Sequence, residues 1–306
     1  MDLKFGFGTG YQEVTVPAEN LLGELHGNSV TVERTGEDAV RHALANPIGS
    51  PRLGNIEYHY FAGYSGGAKA IMPGVSTRAA IQANHSKMVD PACCAGALDT
   101  NPLRQDIEEA GAITGIDFIV NVVLSEKKEI LYAVAGDAVK AHREGCAFLD
   151  KLYRKELNQG ADIVLVSQGG APKDLNLYQT QKALDNAKHA VKDGGVIILI
   201  GSCKEGLGEH TFEEWMTKSP SAESMIERIG RDFQLGGHKA AAIAMVLQKA
   251  DIYLVSDLEP DFVRSIFLTP KASAQEALED AFAKLGKDAT VLAMPYGGST
   301  LPKIIG

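Results

Sequence analysis

Cysteine is scarce in this chain. Four in 306 residues are too few to staple a fold, and Cys93 and Cys94 are adjacent, a spacing that strains any bond between them. Reduced, buried thiols are expected; a soft metal pair at Cys93-Cys94 would need a second Cys or His pair at finger-like spacing. Positive charge is also short. Lys and Arg number 30 against 39 Asp and Glu, a net charge of -9, so the chain has no overall attraction for phosphate backbones or anionic membranes, and no nucleic-acid partner is expected. No apolar run approaches the ~18 residues of a bilayer span, and Met1-Asp2-Leu3-Lys4-Phe5-Gly6 is not a basic segment leading into an apolar stretch. A cytoplasmic protein with no membrane partner is the expectation. Repeats and low-complexity stretches are missing too, which excludes solenoids and long linkers.

What is present is a globular composition, 45% hydrophobic and 23% charged, sufficient for one or two packed cores. Ile163-Val164-Leu165-Val166, Val196-Ile197-Ile198-Leu199-Ile200 and Ile252-Tyr253-Leu254-Val255 are short β-branched runs of the kind buried on both faces of a parallel sheet. Helices should cover that sheet. Ser273-Ala274-Gln275-Glu276 is a capping box, apolar residues follow at helical spacing to Leu285, and Gly286 supplies the stop. Phe118 to Leu124 and Glu129 to Val134 flank the charged turn Ser125-Glu126-Lys127-Lys128, which predicts a hairpin and a mixed sheet. The chain opens with strand-like pieces at Glu13 to Val16 and Ser29 to Val32 and a helix from about Glu37 to Ala45, closed by Asn46-Pro47. A polar helix should end at Asn158, and a fresh strand, loop and helix unit begins near Gly160. The fold class is α/β: two domains with mixed and parallel sheets flanked by helices, and an active site in the interdomain cleft. The first domain is expected over 1–158, completed by 289–306, and a Rossmann-like domain over 159–288.

The densest chemistry runs from Tyr58 to His85. Gly63-Tyr64-Ser65-Gly66-Gly67-Ala68-Lys69 is a glycine-rich loop ending in a lysine, which lets backbone N–H groups and an ammonium approach a phosphate together. The same residues also suit an ordinary tight turn. The spacing fails the P-loop pattern and no Ser or Thr follows Lys69 to hold magnesium, which disfavours nucleoside triphosphate hydrolysis. His59 precedes the loop, and His85 follows in a helix expected to open near Ser76 or Thr77, after the Met72-Pro73-Gly74 turn. Two histidines and a lysine around one glycine loop point to a site, although a lone helical histidine is as a rule a satisfied polar group. His85 alone does not choose among nickel, zinc, copper and iron.

Two further clusters stand at the ends of predicted parallel strands, where ligands collect in open α/β sheets. Gln168-Gly169-Gly170-Ala171-Pro172 opens a helix on which Tyr178 and Lys182 share a face, with Gln179 beside them. Lys182 either pairs with a carboxylate or is a solvated surface lysine. Gly201-Ser202-Cys203-Lys204-Glu205-Gly206-Leu207-Gly208 and Gly236-Gly237-His238-Lys239 border a cleft or serve turns.

Taken together, Tyr58-His59-Tyr60-Phe61-Ala62-Gly63-Tyr64-Ser65-Gly66-Gly67-Ala68-Lys69, Met72-Pro73-Gly74 and Ala83-Asn84-His85 resemble the nickel-dependent lactate racemase family. The resemblance continues through Asn101-Pro102, Asn121-Val122-Val123, Ala135-Gly136-Asp137, Tyr178-Gln179 with Lys182, and Val255-Ser256-Asp257. It implies a nickel-pincer nucleotide, the pyridinium-3-thioamide-5-thiocarboxylic acid mononucleotide, attached to Lys69 and ligated through nickel by His85. It also implies His59 as one acid/base group, Ser65, Gly66 and Gly67 facing the cofactor phosphate, and Tyr178, Gln179, Lys182 and His238 on the cofactor side. The reaction implied is racemisation or epimerisation of a small 2-hydroxy acid: hydride leaves the α-carbon while a base takes the hydroxyl proton, avoiding a carbanion beside a carboxylate. Cofactor-synthesis proteins are the implied partners.

The chain departs from that family between Pro51-Arg52-Leu53 and Gly54-Asn55-Ile56, where longer members carry an Asp-x-Thr-Arg-Pro-like and a Gly-x-His-Arg-like motif. Neither occurs here, so the second acid/base histidine and a ligand-holding arginine have no match; His210 or His238 would substitute only if the cleft brings them close. The alternatives are a catalytically incomplete cofactor-binding or scaffold fragment and, from another class, a zinc hydrolase using His59 and His85, for which a third ligand is not evident.

Overall fold

A computed structural model describes residues 1–24, 51–125 and 128–305. The chain forms two compact units, Met1–Gly27 with Lys155–Gly306, and Asn28–Arg154.

The first unit is built on a six-stranded, wholly parallel sheet in the order Thr269–Lys271, Asp251–Val255, Val191–Ile200, Ala161–Ser167, Val291–Met294, Leu21–Glu24. The three β-branched runs form its centre and are buried throughout, as strands covered on both faces must be. The antiparallel pair Asp2–Phe7 and Gly10–Thr15 and the helix Ala274–Leu285 pack on the sheet through Leu3, Phe5, Val14, Ala277 and Leu278. Ser273 caps that helix by accepting the Glu276 N–H, and Gly286 ends it, as the capping box predicts. Helices Leu177–Ala187 and Gly237–Leu247 pack against the central strands and each other.

Three expectations are corrected here. Residues 1–27 and 289–306 belong to this unit and not to the N-terminal one, because Val291–Met294 inserts between Ala161–Ser167 and Leu21–Glu24 in the parallel sheet. The polar helix stops at Tyr153 and not at Asn158, since Arg154–Leu157 is a strand paired with Leu301–Ile304. The division therefore falls at Lys155 rather than near Gly160.

In the second unit, Pro51–Asn55 runs parallel to Phe118–Leu124, which is antiparallel to Ile130–Gly136. This is the predicted hairpin in a mixed sheet. Helix Ala138–Tyr153, capped by Asp137, buries Leu149, Leu152 and Tyr153 in one cluster with Ile56, Tyr64, Ile119 and Val123. The expected strand Ser29 to Val32, the helix Glu37 to Ala45 with Asn46-Pro47, and Glu126-Lys127 of the hairpin turn lie outside the described residues. Cys93, Cys146 and Cys203 are buried. Among the described residues no helix is long and apolar enough to cross a membrane.

Candidate functional site

Within the second unit, Tyr58–His59 pairs antiparallel with Gly63–Tyr64, and the chain then enters a 3-10 turn, Gly67–Ala70, that carries Lys69. Gly66 and Gly67 have φ of 77° and 60°. A β-carbon at Gly66 would lie 2.6 Å from Asn121 Oδ1, and one at Gly67 would lie 2.9 Å from Arg104 Nη2 and the His142 ring. Only glycine permits this path. Beside it is a cavity of about 200 Å³ lined by Gly54, Asn55, Gly66, Gly67, Lys69 and Asn121. That is below the ~300 Å³ at the small end of ligand pockets, so it encloses part of a nucleotide at most.

The Ser65 hydroxyl donates to Asn55 O at 2.8 Å and accepts the Glu57 N–H at 2.8 Å, and the Gly67 N–H donates to Asn121 Oδ1 at 2.7 Å. These bonds brace the loop, so its shape, more than these two donors, is what it presents to a ligand. Behind it Arg104, only 1% exposed, donates from Nη1 to Tyr64 O at 3.2 Å, from Nε to Glu108 at 2.9 Å and from Nη2 to His142 at 3.0 Å. His142 in turn donates from Nε2 to Ser65 O at 2.7 Å.

Burial, aided by the Arg104 charge, pulls the Lys69 amine down to about 8. Desolvation next to another cation is how proteins make a lysine nucleophilic near neutral pH. Burial, then the Lys69 charge, pulls His85 down to about 4, so the ring is neutral, the form that ligates metals. His85 ends the helix Arg78–His85, which Thr77 caps, as predicted. Its ring meets Phe61 edge-on at 4.9 Å, and Phe61 meets His59 edge-on at 4.5 Å, so one phenyl ring bridges the two histidines. His59 stacks on Tyr60 at 5.3 Å and accepts the Ala62 N–H on Nδ1 at 3.3 Å, which leaves the proton of the neutral ring on Nε2.

Among the described residues no three His, Cys, Asp or Glu side chains converge as a metal site. One neutral imidazole and a nucleophilic amine beside a glycine cradle form a donor set that fits a bound organic group carrying a metal. The zinc-hydrolase alternative lacks its third ligand here.

The remaining predicted residues lie in the first unit. Tyr178 and Gln179 are half-buried and Lys182 is exposed on Leu177–Ala187, whose cap is Asn176. Lys239, 5% exposed, sits over the Tyr178 ring at 3.9 Å and donates to Tyr178 O. Burial and the Lys182 charge bring its amine down to about 7. His238 is buried and accepts the Gly236 N–H on Nδ1 at 2.9 Å, whereas His210 stands in solvent 3.8 Å from Glu214.

Sequence reasoning missed Arg104 and His142, and it held Asn121 only as part of the run Asn121-Val122-Val123, with no role at the loop. Arg104 and His142 are 38 positions apart, and no spacing rule links them. The one available hint was the place of Arg104 between Leu103 and Ile107 on the buried face of helix Pro102–Thr114.

The model of the lactate racemase N-terminal domain matches residues 52–96, and that of the lactate racemase C-terminal domain matches residues 157–301. The lactate racemase of Thermoanaerobacterium thermosaccharolyticum is 35% identical over 255 residues, 81% of this chain and 60% of that protein. The lactate racemase of Lactiplantibacillus plantarum is 32% identical over 257 residues, 82% of this chain and 60% of that protein. The chain thus spans about 60% of the length of these curated relatives. Its fold is that of the lactate racemase apoprotein from T. thermosaccharolyticum, with a TM-score of 0.87 at 24% identity over 99% of this chain and 100% of that one. A Thermotoga maritima protein shares it more loosely, with a TM-score of 0.59 at 19% identity over 83% of this chain and 66% of that one. Two domain models in order and two relatives aligned over four-fifths of its length show that the chain belongs to the lactate racemase family.

Proposed function

We propose that this chain is a racemase or epimerase of a small, lactate-like 2-hydroxy acid and works with a nickel-pincer nucleotide. The observation that carries this reading is the position of Lys69 at the lining of the glycine-shaped cavity, where burial lowers its amine and its charge in turn lowers the basicity of His85. Lys69 is the residue to hold the nucleotide by a thioamide and His85 the residue to hold its nickel. Gly66 and Gly67 shape the phosphate end. Bound, the group supplies an acceptor for hydride, which no side chain offers. The chain supplies the proton chemistry. In the tautomer its Ala62 contact supports, His59 donates from Nε2 to a substrate oxygen; to take a proton at Nε2 it must exchange that 3.3 Å contact.

Protein produced together with the cofactor-synthesis proteins tests this reading by intact mass, nickel analysis and lactate conversion. An adduct on Lys69 with one nickel, plus interconversion of the enantiomers, supports it; no adduct overturns it. A second reading, a cofactor-holding chain without turnover, is favoured by the missing Asp-x-Thr-Arg-Pro-like and Gly-x-His-Arg-like motifs. Adduct without conversion is its signature.

A further inference from the structure

We propose that Asn84 is a positioning residue that presents His85 to the metal by holding the imidazole in its Nδ1–H tautomer. The proposal rests on the reading of His85 as the nickel ligand. Asn84 is fully buried, and its side-chain nitrogen lies 3.1 Å from Leu103 O and 2.6 Å from Asp106 Oδ2. A carbonyl and a carboxylate only accept, so the NH2 end of the amide must face them. Turned the other way, the amide oxygen would meet two acceptors in a site that excludes water. Asp106 is held on its far side by Lys87, at 3.2 Å, which keeps the carboxylate in place as an acceptor.

The Asn84 oxygen therefore faces His85, 2.8 Å from Nδ1. A carboxamide oxygen has no proton to give, so Nδ1 carries the ring proton and Nε2 carries the lone pair. The edge-on contact with Phe61 at 4.9 Å limits rotation of the ring. Histidines that ligate metals are oriented by an outer hydrogen bond on the other nitrogen, and Asn84 fills that place one residue before His85. It touches no reacting atom; it decides which nitrogen remains basic.

Histidine 15N NMR of the full chain without cofactor, near neutral pH and with the His85 signals assigned through His85→Gln, reads the tautomer directly. The unsubstituted chain is expected to show the Nδ1–H form. Asn84→Ala should move His85 toward the Nε2–H form that imidazole prefers in water. Should Asn84→Ala not fold, Asn84→Leu, which keeps most of the volume but has no oxygen to accept the Nδ1 proton, is expected to shift the ring the same way. An Nε2–H ring in the unsubstituted chain, or no change of tautomer on removing the oxygen in Asn84→Ala or Asn84→Leu, overturns the proposal. In cofactor-loaded protein challenged with a chelator, nickel affinity should fall about 10- to 100-fold in Asn84→Ala. Nickel held equally well by His85→Gln would instead sink the ligand reading, a failure distinct from that of the NMR experiment.

Discussion

Arg104 Nη2 lies 3.0 Å from His142 Nδ1, directly beneath Gly67, and the ring passes the interaction on to Ser65 O through Nε2 at 2.7 Å. A buried cation is thus held against a neutral imidazole. Its charge acts in two directions: after burial, it is the next cause of the low basicity of both His142 and Lys69. Arg104→Met keeps much of the volume but removes the donors to Tyr64, Glu108 and His142. A loss of about 3 kcal/mol is expected, seen as a lower urea midpoint at unchanged slope.

The same charge governs Lys69 chemistry. Labelling of Lys69 by a small acylating reagent, followed by mass spectrometry across pH, should reach half its plateau near pH 8, where the amine titrates. In Arg104→Met the midpoint should move to higher pH. A midpoint near the ordinary lysine value in the unsubstituted chain would contradict this account of the site.

Gly67→Ala forces a β-carbon to 2.9 Å from Arg104 Nη2 and the His142 ring at a φ of 60°. The left-handed backbone costs about 1–2 kcal/mol and the crowding about 1–3 more. Thermal unfolding should register the loss, and the yield of Lys69 adduct should fall with it because the loop cannot keep its shape.

Acid stability should follow the buried histidines. His142 is lowered to about 3 by burial and then Arg104, and His189 to about 3 by burial and then Lys188 and Lys249. Unfolded, both bind protons below the ordinary value of 6.5; folded, they resist until about 3. The unfolded chain then binds more protons, so stability is lost as pH falls from 6.5 toward 3, with a slope of about 1.4 kcal/mol per pH unit for each ring. Denaturant midpoints measured down this range should flatten in His142→Gln by one ring's share.

His59→Gln should leave the Lys69 adduct and its nickel in place while lowering lactate interconversion by about 100-fold or more, the range positioned proton transfer supplies. Equal conversion rates in both proteins would remove His59 from the acid/base role.

Much of the fold was legible locally. The β-branched runs, the capping box at Ser273 and the helix start at Thr77 each depend on neighbours within a few residues, so their outcome followed from periodicity and cap chemistry. Strand partnership was not legible. Val291–Met294 pairs with strands from two distant parts of the chain, and Arg154–Leu157 reads as a helical continuation until Leu301–Ile304 pairs with it.

The amino-acid order alone determined which groups this protein brings to its chemistry: His59, Lys69 and His85 lie in one short stretch whose glycines and caps dictate a hairpin, a turn and a helix. Only the tertiary structure decided the protonation of Lys69 and His85. Basicity depends on burial and on nearby charges: packing buries both groups, sets the Arg104 cation near Lys69 and sets Lys69 near His85, and it brings Leu103 and Asp106 to the amide of Asn84, which then turns its oxygen to the His85 ring.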